Sequence, residues 1–453
     1  ALNLSTLTNP ATSGGILAEA LTTADFLDPV PILKNLSRGS NKGGDAKQTT
    51  ALNQPKALPL IDGDGYLYLS GVSGNRAEVN EPILPATGDF DLTIDFVWKD
   101  TGVSNQDLFG QYTPSIAGRF FIYVTPAGEL RVFWNGAFGH DGGALGSIIE
   151  GRRHSARFNR TGNTFTIYLD GVSYYSATVG STVPILQVDS TLGFAGTRFV
   201  HTFKGAIFSV IEGSNTNIDF TATNVRHGAT KFKCATGQVV TINQSGNDPA
   251  TIIKKPVLRF SNQSDGSTTI GLDGLFSQEF NGGYMFAALS VLGDGGGSYA
   301  HVFATNKTGG NSDSNGGVIF SYRPLSASNL GVYRGTLLTH DNLFDSDNGD
   351  FIVEHKATNT SSISKVNDAD TKTSSITYTI ESDEFKIGKA PLSTNNAAID
   401  LEYLAVFPAT ITDAEADSVR SFINKRNSVF YRWDTDGYYF FDPQKATFTG
   451  NFT

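Results

Sequence analysis

The stretch Phe165-Thr166-Ile167-Tyr168-Leu169-Asp170-Gly171-Val172-Ser173-Tyr174-Tyr175 decides the fold class. Strand-forming aromatic and β-branched residues stand on both sides of Asp170-Gly171, and Asp-Gly supplies the positive φ angles that a type I′ turn requires. The stretch therefore predicts a tight β-hairpin. Working outward, Tyr66–Leu69, Leu92–Trp98, Phe120–Val124 and Leu130–Trp134 are further strand signals, each bounded by Gly, Pro, Asn or Asp. Short strands separated by turn residues indicate a sandwich or barrel of antiparallel sheets.

Composition agrees with an all-β class. Charged residues are 17% of the chain, while it holds 49 glycines, 32 phenylalanines and 16 tyrosines. A chain of 453 residues is longer than one core supports, so two domains are expected. No apolar run reaches the length of a membrane-spanning helix. The net charge of −10 argues against nucleic acid as a partner, because phosphate contacts need clustered Lys and Arg. Cys234 is the one cysteine, so no intrachain disulfide is available and the fold must rest on its cores. The opening Ala1–Ser5 has no basic patch followed by an apolar stretch, so no secretory signal is expected within these residues.

An internal repeat organises the chain. Leu67-Tyr68-Leu69 corresponds to Leu258-Arg259-Phe260, and the same shift carries Asp91–Trp98 onto Gly282–Leu289. Phe203–Val210 has its counterpart in Ile399–Val406 at a slightly larger offset. Two copies of one domain thus follow each other: 59–255, with trailing strands near Phe232 and Val239–Ile242, and 256–437. Residues 1–58 lack the apolar content of a core and contain Gly39-Ser40-Asn41-Lys42-Gly43-Gly44. They read as an extended N-terminal arm, either a disordered leader or a segment that orders against a partner. On the second view, removing 1–58 should leave both domains folded. Thr412–Arg426 predicts one short helix late in the second copy. Thr412 and Glu415 form a capping box there, and Ala416, Val419, Phe422 and Ile423 form an apolar stripe. The aromatic tail at 438–453 is expected to be covered by a domain or a neighbour.

The Gly71–Asn75 turn, the strand at 91–98, the 165–175 hairpin and Lys204-Gly205-Ala206-Ile207-Phe208 together resemble laminin G-like and concanavalin A-like jelly-roll modules. Tyr68–Asn75, Asp219–Thr221 and Thr236–Ile242 look like modules found in virion structural proteins of tailed bacteriophages. The resemblance implies two tandem sandwiches of curved antiparallel sheets. It further implies a virion component (capsid decoration, tail or fibre), anchored to other virion proteins through 1–58, that stabilises the particle or binds host-surface glycan. A homo-oligomer is expected on this reading, and neither a nucleic-acid nor a membrane partner. A secreted bacterial glycan-binding or glycan-cleaving protein would share the fold, which alone selects no function.

The residues favour binding over turnover. Glucanases on this fold place paired carboxylates on one strand; the nearest cluster here, Glu381-Ser382-Asp383-Glu384, has Lys386 where the second Glu should stand and reads as an exposed turn. The histidines show no metal-ligand spacing, and Asp170 meets His154 only through the hairpin. No cofactor is expected, with calcium the one open alternative. Asp62-Gly63-Asp64-Gly65 and Asp345–Asp350 are the loops that could hold it, through Asp62, Asp64, Asp345, Asp347 and Asp350, and the same composition suits ordinary turns. Gly293–Gly297 reads as a loop, not a phosphate cradle. Trp134, Phe138 and His140 are the candidate glycan platform, although Trp134 also lies in a strand pattern suited to a core.

Overall fold

The computed structural model describes residues 16–19, 26–27, 32–33 and 46–49, and most of the chain from 54 to 423. Within that span the longer stretches outside the description are 138–144, 195–201, 262–270, 293–299, 308–318, 341–349 and 390–398. The tail at 438–453 also lies outside it, as does Phe422 of the helical stripe.

The chain is all-β and forms two tandem jelly-roll sandwiches. It divides into an inserted unit, Asp64–Lys254, and a split unit, Ala1–Gly63 with Lys255–Thr453. In the inserted unit one antiparallel sheet runs in the order Val172–Thr178, Thr164–Leu169, Arg153–Thr161, Phe90–Trp98, Lys204–Glu212, Tyr66–Ser70, Thr251–Ile253, and Thr216–Asp219 also pairs with Lys204–Glu212. The facing sheet runs Leu145–Ser147, Glu129–Trp134, Phe120–Val124, Gln106–Gln111, Ser190–Leu192, Arg76–Val79, Val239–Asn243, Lys231–Lys233. Alternation supplies the core. Leu92, Ile94 and Phe158 from the first sheet meet Phe120, Ile122, Val132 and Trp134 from the second in one buried cluster. The predicted hairpin forms, with Leu169 opposite Val172 and positive φ at Asp170 (50°) and Gly171 (79°).

The split unit has the same plan. Its first sheet runs Lys372–Ser375, Ser361–Val366, Asp350–Ala357, Gly283–Val291, Ile399–Pro408, Val257–Phe260, Lys56–Leu58, and Ile16–Glu19 pairs with Ile399–Pro408. Its second runs Ile32–Leu33, Ala46–Lys47, Leu272–Phe280, Ser382–Ile387, Ala300–Asn306, Ile319–Arg323, Asn329–Arg334, Thr336–His340. Leu258, Phe260 and Met285 pack there on Leu272, Val302 and Phe385. A helix within 413–423 packs Ala416, Val419 and Ile423 on the other face of the first sheet, against Phe286, Ala288, Tyr403 and Ala405. Its capping box is formed: Glu415 N donates to Thr412 Oγ1 at 3.3 Å and Thr412 N to Glu415 Oε2 at 2.8 Å.

Three sequence expectations change. The described parts of 1–58 are not a free arm, since strands 16–19, 32–33, 46–47 and 56–58 all pair into the split unit's sheets. They carry strand-length apolar pieces too short to register as a core, and a sheet edge needs no more than two to four residues to pair. The repeat is real, and Leu67–Leu69 matches Leu258–Phe260 as read from the sequence, but at the other two strands the register slips by two residues. The pairing sets Gly205 with Ile399 and Trp98 with Val291, and both copies bulge at matching places, Phe208 and Glu402. Because side chains alternate with period two, a two-residue slip leaves inward residues inward, so the pattern alone does not reveal it. Finally, Ser382-Asp383-Glu384 is strand and not turn. Ser382, Phe385 and Ile387 face in, while Glu384 accepts from Asn306 Nδ2 at 3.0 Å.

The copies differ inside. Where the inserted unit pairs Tyr68 with Ala206, the split unit pairs Arg259 with Asp400. Their two-pronged ion pair, with 2.7 Å contacts, is fully buried. Lys255 and Glu402 form a second buried pair at 2.9 Å. Such pairs are costly to break because either partner alone would be a stranded charge.

Candidate functional site

The proposed calcium loops do not assemble a cation site among the described residues. Asp62 is exposed in a left-handed turn (φ 55°), while Asp64 turns to Arg153, whose guanidinium lies 2.7 Å away. Asp95 shares that guanidinium at 3.6 Å, so the charge near Asp64 is already compensated. Asp345 and Asp347 lie outside the described residues, and Asp350 opens the strand Asp350–Ala357. Among the described residues no group of three or more His, Cys, Asp or Glu side chains is placed to hold a metal.

The glycan platform also changes. Phe138 and His140 lie outside the described residues. Trp134 is fully buried, ringed by Phe90, Phe120 and Phe165, and its Nε1 donates to the Pro184 carbonyl at 2.9 Å. It shares the inward face of its strand with Leu130 and Val132, so no sugar can stack on it.

The opposite face of the same hairpin carries the better candidate. Phe120–Val124 and Glu129–Trp134 are antiparallel, with Phe121 opposite Phe133 and Tyr123 opposite Arg131. Each of these four points away from the core cluster, by the alternation that sends Phe120, Ile122, Val132 and Trp134 inward. Phe121 and Phe133 stack at 4.7 Å between ring centres, and Tyr112 meets Phe121 edge-on at 5.6 Å. Tyr123 leans on Phe121 at 5.6 Å. Arg119, just before the strand, lays its guanidinium over Tyr112 (5.6 Å) and over Phe133 (5.5 Å). The guanidinium is thus within cation–π range of both rings.

Charge and polarity then sort the cluster. Arg131 is committed to Glu129 at 2.8 Å, and that hydrogen bond raises its pKa. Among the described residues Arg119 has no such carboxylate. Its Nε and the Tyr112 hydroxyl are both buried and lack a hydrogen-bond partner among the described residues. Tyr112 and Arg119 are partly exposed, whereas Phe121, Tyr123 and Phe133 are buried beneath them. Tyr112 and Arg119 thus form a partly exposed polar and aromatic rim over a buried aromatic bed. That is the equipment to stack the C–H face of a ring and bond its hydroxyls.

The His154–Asp170 contact is made: Nδ1 lies 2.8 Å from Oδ2, and Ile149 N donates to Nε2 at 3.0 Å. Burial pushes the Asp170 carboxyl up, but the Ser155 amide and His154 outweigh it and hold its pKa below the usual value. Both imidazole nitrogens are occupied, Nδ1 at the hairpin turn and Nε2 at the Ile149 backbone, and no nucleophile joins them among the described residues. The sequence did carry a signal for the aromatic face. Phe120-Phe121-Ile122-Tyr123-Val124 is apolar without interruption, which marks a strand buried on both faces and not the usual half-buried one.

No family model and no curated protein matches the chain. Solved structures similar to it include domains LG4-5 of the mouse laminin alpha1 chain, at 10% identity over 76% of this chain and 88% of that one, with a TM-score of 0.30. A heptameric SAP-like pentraxin from Limulus polyphemus is 12% identical over 34% of this chain and 77% of its own, with a TM-score of 0.27. A carbohydrate-binding module from Bacillus subtilis is 11% identical over 44% and 95%, with a TM-score of 0.22. Scores this low leave the fold description to the strand pairing given above.

Proposed function

We propose that this chain is a non-enzymatic glycan-binding protein displayed on a tailed-phage virion, and that it holds sugar on the outward face of the Phe120–Trp134 hairpin. The observation that carries the binding reading is the Arg119 guanidinium set between Tyr112 and Phe133, with its Nε and the Tyr112 hydroxyl unpaired among the described residues. Buried polar groups are nearly always satisfied, and a hydroxyl-rich ring lying against Tyr112 and Arg119 would give both a partner once the two side chains turn toward it. Virion placement rests on the resemblance of the modules. Anchoring through a free N-terminal arm is no part of the proposal, because its described strands pair into the two sheets of the split unit.

Glycan-array screening followed by titration calorimetry tests the site. Tyr112→Phe and Arg119→Lys should each weaken binding by about tenfold, or ~1.4 kcal/mol, while the inserted unit still unfolds in one cooperative transition. Unchanged affinity in both variants removes the site. Release of reducing ends from a bound glycan would replace binding with hydrolysis, and immunogold labelling of particles decides the virion placement.

A further inference from the structure

The four N-terminal strands repeat, one for one, the four strands that complete the inserted unit. Glu19 faces Tyr403 and Ile16 faces Val406, just as Asp219 faces Ser209 and Thr216 faces Glu212. With Gly205 equivalent to Ile399, these are the same positions of the two copies. Lys56–Leu58 lies along Val257–Phe260 in the register that Thr251–Ile253 takes along Tyr66–Ser70. Ile32–Leu33 and Ala46–Lys47 hold the end of one sheet that Lys231–Lys233 and Val239–Asn243 hold in the other copy.

The repeating pattern is therefore four completing strands followed by a body. The strands at 216–253 complete the body that precedes them in the chain. No such strands follow the second body among the described residues, and 16–58 returns from the far end of the chain to complete it. The pairing groups and register at the two junctions match, and the seven-residue link from Leu58 to Tyr66 is the one covalent tie between the returning strands and the rest of the chain. An identical set of strands exists on every other copy of the protein.

We propose that residues 16–58 of one copy complete the 257–408 body of another, so that the closed monomer exchanges with head-to-tail chains whose junctions repeat the internal one. Such a junction is heterologous: it uses two different surfaces and leaves both ends of the chain open for further addition. Closure within one molecule wins at low concentration because the tethered strands have a high effective concentration, and exchange gains as protein concentration approaches it. The inference stands on strand topology and is independent of the glycan site.

Two single-cysteine versions of the full chain test it. Both carry Cys234→Ser; one adds Leu17→Cys and the other Ala405→Cys, positions directly opposite in the antiparallel ladder and within disulfide reach. The two are mixed at rising concentration, pulsed with mild denaturant to open the split unit, refolded and oxidised. The expected result is a mixed disulfide dimer in several-fold excess over either homodimer, growing with concentration. A mixed dimer at or below its statistical share at every concentration overturns the proposal. Light scattering on the unmodified chain through the same pulse is the second measurement: multiples that grow with concentration support exchange, and monomer throughout overturns it.

Discussion

Lys254 shows how one buried side chain sets a pH dependence. Its Nζ donates to the carbonyls of Phe220 and Ala222 at 2.8 and 2.7 Å, and its backbone N donates to His227 Nδ1 at 3.2 Å. Burial lowers its pKa from 10.5 to about 8, against the opposing pull of Asp219 and Asp64. Between those values the unfolded chain holds a proton that the folded chain has released, so stability rises with pH across the window and the full penalty applies below it. The size is about 3 kcal/mol. Denaturant unfolding of the inserted unit should therefore show the gap between Lys254→Met and wild type shifting by about that amount from neutral pH to pH 10.5; a gap that stays constant refutes the assignment. At this scale the sequence was legible only where chemistry is local. The turn at Asp170-Gly171 could be read directly, whereas Trp134 and its neighbour Phe133 differ in fate only through the strand's phase, which no single residue displays.

Elements were the most readable level. The hairpin, the strand runs and the capping box all follow from signals within a dozen residues, and all are present. What the sequence hides is contact between elements. Gly205 is the second residue of the strand Lys204–Glu212, at φ 152°, and a β-carbon there would stand 2.0 Å from the Val97 carbonyl oxygen and 2.8 Å from Phe203 Cε1. Gly162, in the 161–164 turn at φ 57°, has nothing within 4 Å of that position. Gly205→Ala should thus cost about 2–4 kcal/mol, from overlap added to backbone strain. Gly162→Ala should cost only about 1–2 kcal/mol, from strain alone. Thermal unfolding of the two variants side by side checks the difference, and equal losses would mean that the close approach at Val97 is not as described.

For the whole molecule, the domain count and the tandem repeat could be read from the sequence, and the ownership of the N-terminal segment could not. Pairing between residues almost four hundred positions apart leaves no local mark, and Gly-rich polar stretches look alike whether they link strands or trail in solvent. The correction carries a prediction opposite to that of a free arm. Residues 64–254 should fold alone, while deletion of 1–58 should remove the calorimetric transition of the split unit and spare that of the inserted unit. Survival of both transitions would restore the arm. The pairing of Ile16–Glu19 with Ile399–Pro408 also sets a timetable for biosynthesis. The inserted unit is complete once Ile253 has left the ribosome. The strand Ile16–Glu19, by contrast, meets its partner only once roughly 390 residues beyond Ile16 have been made, or roughly 20–80 s at bacterial translation rates. For that interval a strand made long before its partner stands as an unpaired edge, the kind of surface that invites pairing with another chain.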